Sequence, residues 1–161
     1  MKPLIALFVC LATTAQSDVT MSFRDGAPVD TFEITATDTC LSGIIAVTLD
    51  LTQSQGQLIF DVTPAGAGVE VFQPLVLTKG QNAVLRTSEL KDGDQILALV
   101  LQDLSAPVAF TADLDDTIGQ REITVSGSEI AGATVQIQNA SEMLLGTFDT
   151  NGDAVITTPA C

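Results

Sequence analysis

From residue 18 onward the chain alternates apolar and polar positions. Residues 18–24 (DVTMSFR) set Val19, Met21 and Phe23 on one side. Residues 30–37 (DTFEITAT) set Phe32, Ile34 and Ala36 against Thr31, Glu33 and Thr35. Residues 44–51 continue with Ile45, Val47, Leu49 and Leu51 on one face. A period of two marks a strand with one face buried, because successive side chains leave a pleated backbone on opposite sides. The same pattern predicts strands over 57–62, 69–72, 75–77, 95–101, 108–114, 121–127, 133–138, 143–149 and 154–158. Between them stand DGAP, TPAGAG, KDGD, SAP and TNGD, built from the residues that turns require. No window carries the roughly 3.6-residue stripe of an amphipathic helix; RTSEL (86–90) has room for a single helical turn. Short alternating runs at this spacing predict one all-β domain: a single immunoglobulin-like antiparallel β-sandwich of about 9–12 short strands.

The N-terminus departs from the pattern. MKPLIALFVCLATTAQS offers Lys2, an apolar run from Leu4 to Ala12, and Thr13 and Ala15 placed for signal-peptidase cleavage after Ala15. The run is shorter than the roughly 20 residues of a membrane span, and bulky Phe8 and Val9 before Cys10 do not suit a lipoprotein site. The expected organisation is therefore a signal peptide over 1–15 and one β-sandwich domain over 16–161. The mature chain would be exported, periplasmic or extracellular, with no transmembrane segment. Cleavage also removes Cys10. Cys40 and Cys161 remain, and an even count in an oxidising compartment predicts a disulfide between them. On the chain-entropy model, so long a loop would contribute about 4–5 kcal/mol at most.

Charge narrows the function classes. The chain has 6 basic and 20 acidic residues, a net charge of −14. Losing Lys2 leaves 5 basic residues and a net charge near −15. Such a surface repels nucleic acid and anionic lipid, since binding either requires neutralising phosphates. The acidity does not signal disorder, because 46% of residues are hydrophobic and they are spread along the chain.

With no histidine, Ser–His and Cys–His nucleophile activation and imidazole metal sites are excluded. AGAG (65–68) lacks the spacing and the following helix of a phosphate loop. Only carboxylate pairs are left for catalysis. Glu122/Glu129 and Asp92/Asp94 read as solvated faces and turns, and the chain has no Trp or Tyr to build a sugar platform. No catalytic residue is assigned.

Two acidic stretches carry what ligand chemistry the sequence offers. VAFTADLDD places Val108, Phe110, Ala112 and Leu114 inward, so Asp113 and Asp115 share the outer face and Asp116 begins a turn. This group reads as a solvated strand end, or as part of a calcium shell completed by a second loop, Asp92/Asp94 or Asp149/Asp153. In FDTNGDAVIT, Asn151-Gly152 predicts a type I′ hairpin turn. Asp149, Asn151 and Asp153 also occupy the first, third and fifth positions of an EF-hand-like loop. Ala154 and Ala160 stand where that loop needs Gly and Glu. Calcium is a candidate ligand at either stretch, and no cofactor is required.

FEITATDTC, VTLDL and QLIFDVTPAGAGVEVFQPL, with FTADLDDTIGQREITVSGSEIAGATVQI, resemble small exported bacterial proteins labelled aggregation factor core. That label is borrowed from the core protein of the sponge aggregation factor, a calcium-dependent adhesion proteoglycan. The resemblance covers almost the whole mature chain, including Cys161. It implies a β-sandwich that associates through its surface, with calcium as a candidate bridge, and it brings no catalytic or ligand residues. The expected function is a non-enzymatic structural or interaction module, adhesion- or aggregation-related, with a protein or extracellular-matrix partner. The alternatives are a small-ligand or carbohydrate-binding β-sandwich and, third, a carboxylate-only hydrolase.

Overall fold

A computed structural model describes residues 17–27, 29–37, 41–64, 72–118 and 125–158. The expected signal peptide, Cys10, Cys40, Cys161, Glu122 and most of the strand expected over 69–72 lie outside these residues.

The alternation becomes two stacked antiparallel sheets. The first orders its strands as β12 (Asp153–Thr158), β1 (Ser17–Arg24), β2 (Asp30–Thr37), β8 (Val108–Ala112) and β5 (Val76–Lys79). The second orders β11 (Met143–Thr147), β10 (Thr134–Gln138), β3 (Ile45–Asp50), β7 (Ile96–Leu101) and β6 (Val84–Thr87). A two-stranded ribbon, β4 (Ile59–Phe60) with β9 (Leu114–Asp115), lies apart from both. The all-β sandwich is borne out; an immunoglobulin-like connectivity is not demonstrated by this strand order. Among the described residues no helix is long and apolar enough to cross a membrane.

The inward residues of each strand form the core, as the period of two requires. Val19, Met21, Phe23, Phe32 and Ile34 of the first sheet face Ile45, Val47, Leu49, Leu97, Leu99 and Leu101 of the second. Phe23, Phe32 and Phe110 stand opposite one another on neighbouring strands. Their ring centroids lie 5.2 and 4.9 Å apart, the second pair stacked. Burying each side chain stabilises the fold by about 1.5–3 kcal/mol, and aromatic pairing adds about 0.5–1.5 kcal/mol.

Four local expectations are corrected. RTSEL forms no helical turn; β6 covers its start, after a 3-10 turn at Gln81–Ala83. Residues 57–62 give only the two-residue β4, because Leu58, Ile59, Phe60, Asp61 and Val62 are all buried and neither face is left for solvent. Residues 108–114 break at Asp113 into β8 and β9, which pair with different partners. In the strand expected over 121–127, residues 121–124 lie outside the described residues, and Gly127–Ile130 opens a short helix, α1. Ser126 and Glu129 cap it reciprocally; that S-x-x-E signal is legible in the sequence.

Strand direction sorts the chain's acids. β1 ends, and β2 and β12 begin, at the end of the sandwich where β3, β8 and β11 stop and β7 and β10 start. Asp25, Asp30, Asp50, Asp94, Asp149 and Asp153 all fall at that end, and the β4–β9 ribbon closes it.

Candidate functional site

The ribbon brings together aspartates that are far apart in sequence. Ile59 pairs with Asp115 and Phe60 with Leu114. The Asp61 N–H then donates to the Asp113 carbonyl at 3.0 Å, and Gln73 N–H donates to the Asp61 carbonyl at 3.2 Å. From the other side, the turn 91–94 is clamped on Phe60: Gly93 N–H donates to the Phe60 carbonyl at 2.9 Å, and Phe60 N–H to the Asp94 carbonyl at 2.8 Å. These backbone bonds carry Asp92 against Asp61, where the two carboxyl groups are hydrogen-bonded to each other.

The Asp113, Asp115 and Asp116 group is therefore not the solvated strand end expected. Exposures are 6%, 5% and 9%, and Asp61 is at 1%. The cause is tertiary: β8 ends at Ala112, so the strand's alternation no longer decides which residues meet water. The overlying segments at 59–61 and 73 do. Asp92 and Asp94, expected on a solvated turn, are half-buried.

Two further acids were missed by the sequence reading. Asp30 continues the inward series of Ile34 and Phe32, which places a carboxylate in a core position. Asp61 interrupts the apolar run Leu58–Val62. Both signals were visible: a lone acid in phase with core residues, and a lone acid inside a run buried on both faces.

The electrostatics follow from the burial. Asp30 is pushed up to about 8, chiefly by burial. The Gly26 and Leu114 N–H groups oppose the shift, and Asp113 and Asp25 add to it. Asp61 is likewise raised to about 8, by burial first, then by the hydrogen bond and charge of Asp92 and the charges of Asp115 and Asp113. Asp113 rises to about 6, from burial and Asp115. None of the leading influences on these three is a cation. Asp61 Oδ2, sealed from water, accepts no hydrogen bond. Among the described residues, no group of three or more acidic or cysteine side chains is placed to hold a metal ion.

The second acidic stretch is built differently. Asp149 Oδ1 accepts from Asn151 N–H at 2.8 Å and Asp153 N–H at 3.1 Å, and Asp149 Oδ2 accepts from Asn151 Nδ2 at 3.0 Å. Asp153 pairs with Arg24 Nη2 at 3.0 Å. Those donors, led by the Asp153 N–H, hold the exposed Asp149 carboxyl below its ordinary range. The expected hairpin forms, but not as type I′. Gly152 has φ 79°, whereas Asn151 is absent from the positive-φ residues. Gly152 N–H donates to the Asp149 carbonyl and Asp149 N–H to the Asp153 carbonyl. That pattern is a three-residue hairpin loop with glycine at the left-handed bulge position.

The two outer sheet faces also differ. On the first sheet, Asp18, Arg24, Glu33 and Lys79 stand among threonines, and Lys79 pairs with Glu33 at 2.7 Å. On the second, the outward rows are Met143, Gln138, Ala46 and Val100, then Leu145, Gln136, Thr48 and Ala98. Met143 and Leu145 are 67% and 64% exposed. Charge appears only at the margins of these rows, as Asp50 and Arg86.

Two surface clefts, of about 180 and 370 Å³, are lined by Leu41, Ser42 and residues 139–142 with Thr158, and by Thr52 with residues 93–96. Neither presents an aromatic ring, and neither is lined by Asp61, Asp113 or Asp115. No family model, no curated protein and no solved structure matches this chain.

Proposed function

We propose that the chain is an exported, non-enzymatic structural module that associates weakly with further copies of itself through the outer face of the second sheet. The observation that carries this reading is a nearly uncharged face, with Met143 and Leu145 exposed on it, on a molecule of net charge −14. Copies so strongly like-charged repel at every other approach. A face of five strands about 4.8 Å apart and roughly 17 Å long gives about 400 Å² per copy, or about 800 Å² together. A stable interface buries about 1,200–2,000 Å², so the contact is transient and needs many copies to hold. That agrees with the aggregation-related role implied by the resemblance.

The carbohydrate-binding alternative has less support. Phe23, Phe32, Phe60, Phe110 and Phe148 are all in the core and no described cleft offers a stacking ring. The hydrolase alternative needs a carboxylate pair open to substrate, and Asp61 is sealed.

Sedimentation velocity of the purified protein at rising concentration tests the proposal. Association should strengthen with salt, which screens the mutual repulsion, and should vanish in Leu145→Glu. A monomer at every concentration and salt level would end this reading.

A further inference from the structure

We propose that β11 is the edge at which two copies of this chain join, pairing antiparallel with itself about a twofold axis at Leu145 so that the two second sheets become one. β11 is an edge strand, bonded to β10 on one side only. Phe148 N–H donates to the Ala133 carbonyl at 2.9 Å, and the Glu142 carbonyl accepts from Asn139 N–H at 3.0 Å. Antiparallel bonding alternates along a strand, so Leu144 and Gly146 also turn their backbone groups to β10. Met143, Leu145 and Thr147 turn theirs outward. Among the described residues no backbone group bonds to them from that side.

The other three edges are guarded. β5 shifts register between Leu77 and Lys79, and β6 between Val84 and Arg86, so each carries a cation at an irregular point. β12 opens on Asp153, which is paired with Arg24. Bulges and charges on an edge strand keep a further strand from adding to it. β11 has neither: its ladder to β10 runs unbroken from Met143 to Thr147, and no residue of the strand is charged. A row of outward N–H and C=O groups at strand spacing is complementary to another extended strand.

A second copy supplies that strand, because the row is its own complement. Leu145 exchanges N–H and C=O with Leu145 of the second copy, and Met143 with Thr147 of the second copy, so every outward group is used. In this register Glu142 stands opposite Phe148 and Asp149 opposite Ser141, so no acid directly faces another. The pairing rests on the self-association proposed for the sheet face and supplies what that contact lacks. It joins two faces of about 400 Å² into one of about 800 Å². Two such pairs meeting face to face then bury about 1,600 Å², within the range of a stable interface.

The experiment measures amide hydrogen exchange of the purified protein at low and high concentration in raised salt, with sedimentation velocity on the same samples. On association the N–H groups of Met143, Leu145 and Thr147, which exchange freely in the monomer, should slow by about tenfold or more. Those of Leu144 and Gly146 should be slow throughout. Thr147→Pro removes one outward N–H, and proline is tolerated on the open side of an edge strand. It should keep the monomer's melting midpoint and lose the dimer. Gln136→Glu, on β10 within the face, should leave the dimer and its protected amides but prevent larger assemblies. A protected dimer that grows no further in the parent protein would support the edge pairing and end the face contact. Association in which Met143, Leu145 and Thr147 still exchange freely would overturn the edge pairing and leave the face contact standing. Dimers that survive Thr147→Pro would overturn it as well, and a monomer under all conditions would end both.

Discussion

The acidic loop 149–153 and the acidic cluster around Asp61 have similar composition and opposite physics. In the loop, Asp149 accepts three hydrogen bonds from its own turn and Asp153 meets Arg24. Its charge is satisfied locally and faces water. In the cluster, Asp61, Asp113, Asp115 and Asp116 are covered by strands from elsewhere, and the carboxyl beside Asp61 is another carboxyl. What separates the two is burial, not the number of acids. A loop that resembles a calcium-binding motif can be fully occupied by its own N–H groups. A run that resembles a solvated strand end can be covered by segments from elsewhere in the chain.

The largest expected effect is on pH dependence. Asp30 and Asp61 titrate near 8 and Asp113 near 6 in the folded chain, against about 3.9 unfolded. Below the unfolded value both states are protonated and this contribution to stability is fully present. As pH rises, the unfolded chain gives up protons that the folded chain keeps, so stability falls until about pH 8. The melting midpoint should drop by roughly 5–10 °C between pH 5 and pH 8. A midpoint that rises over that window would break the contrast between the two regions.

Next in size is Asp61→Asn, which keeps the volume and removes the buried charge. At pH 8 it should raise the midpoint by about 5 °C and flatten the pH profile. A lower midpoint would show that the Asp61 charge is compensated after all.

In the hairpin, the critical group is backbone. Gly152 sits at φ 79°, and a Cβ there would come within 2.9 Å of the Phe23 carbonyl oxygen. Gly152→Ala should cost about 1–3 kcal/mol in denaturant unfolding. Smallest is Arg24→Ala. It removes an exposed ion pair and should change stability by about 0.2–1 kcal/mol, fading with salt. Asp149→Ala should also destabilise, in the opposite pH sense to the cluster. Its lowered titration makes that stability present above the unfolded value and lost on acidification. Urea titrations at pH 7 and pH 3 check this sign.

The strands with one buried face were legible because their constraint is local. β1, β2, β3, β7, β10 and β12 follow the alternation within a residue or two. The reading failed where that constraint ends. At Asp113 the strand leaves its sheet, and nothing in VAFTADLDD records that residues 59–61 will lie across it. At Asn151 the dipeptide named a hairpin but not its loop length, which the Asp149–Asp153 bond decides. The acids of the turn 91–94 point to a second loop beside the acidic run, but no local pattern marks Asp61 as the residue that joins them.

The sequence by itself determined the all-β class, most strand faces and the acidic surface. Each depends on period and composition, which are properties of neighbouring residues. Only the tertiary structure decided which aspartates meet water and which meet one another. A carboxylate's energy depends on the donors and dielectric around it, and those come from segments remote in the chain. Asp149 and Asp61 are both acids beside a strand, yet one is held ionised by its own turn. The other is buried by a ribbon that exists only once the sandwich has closed.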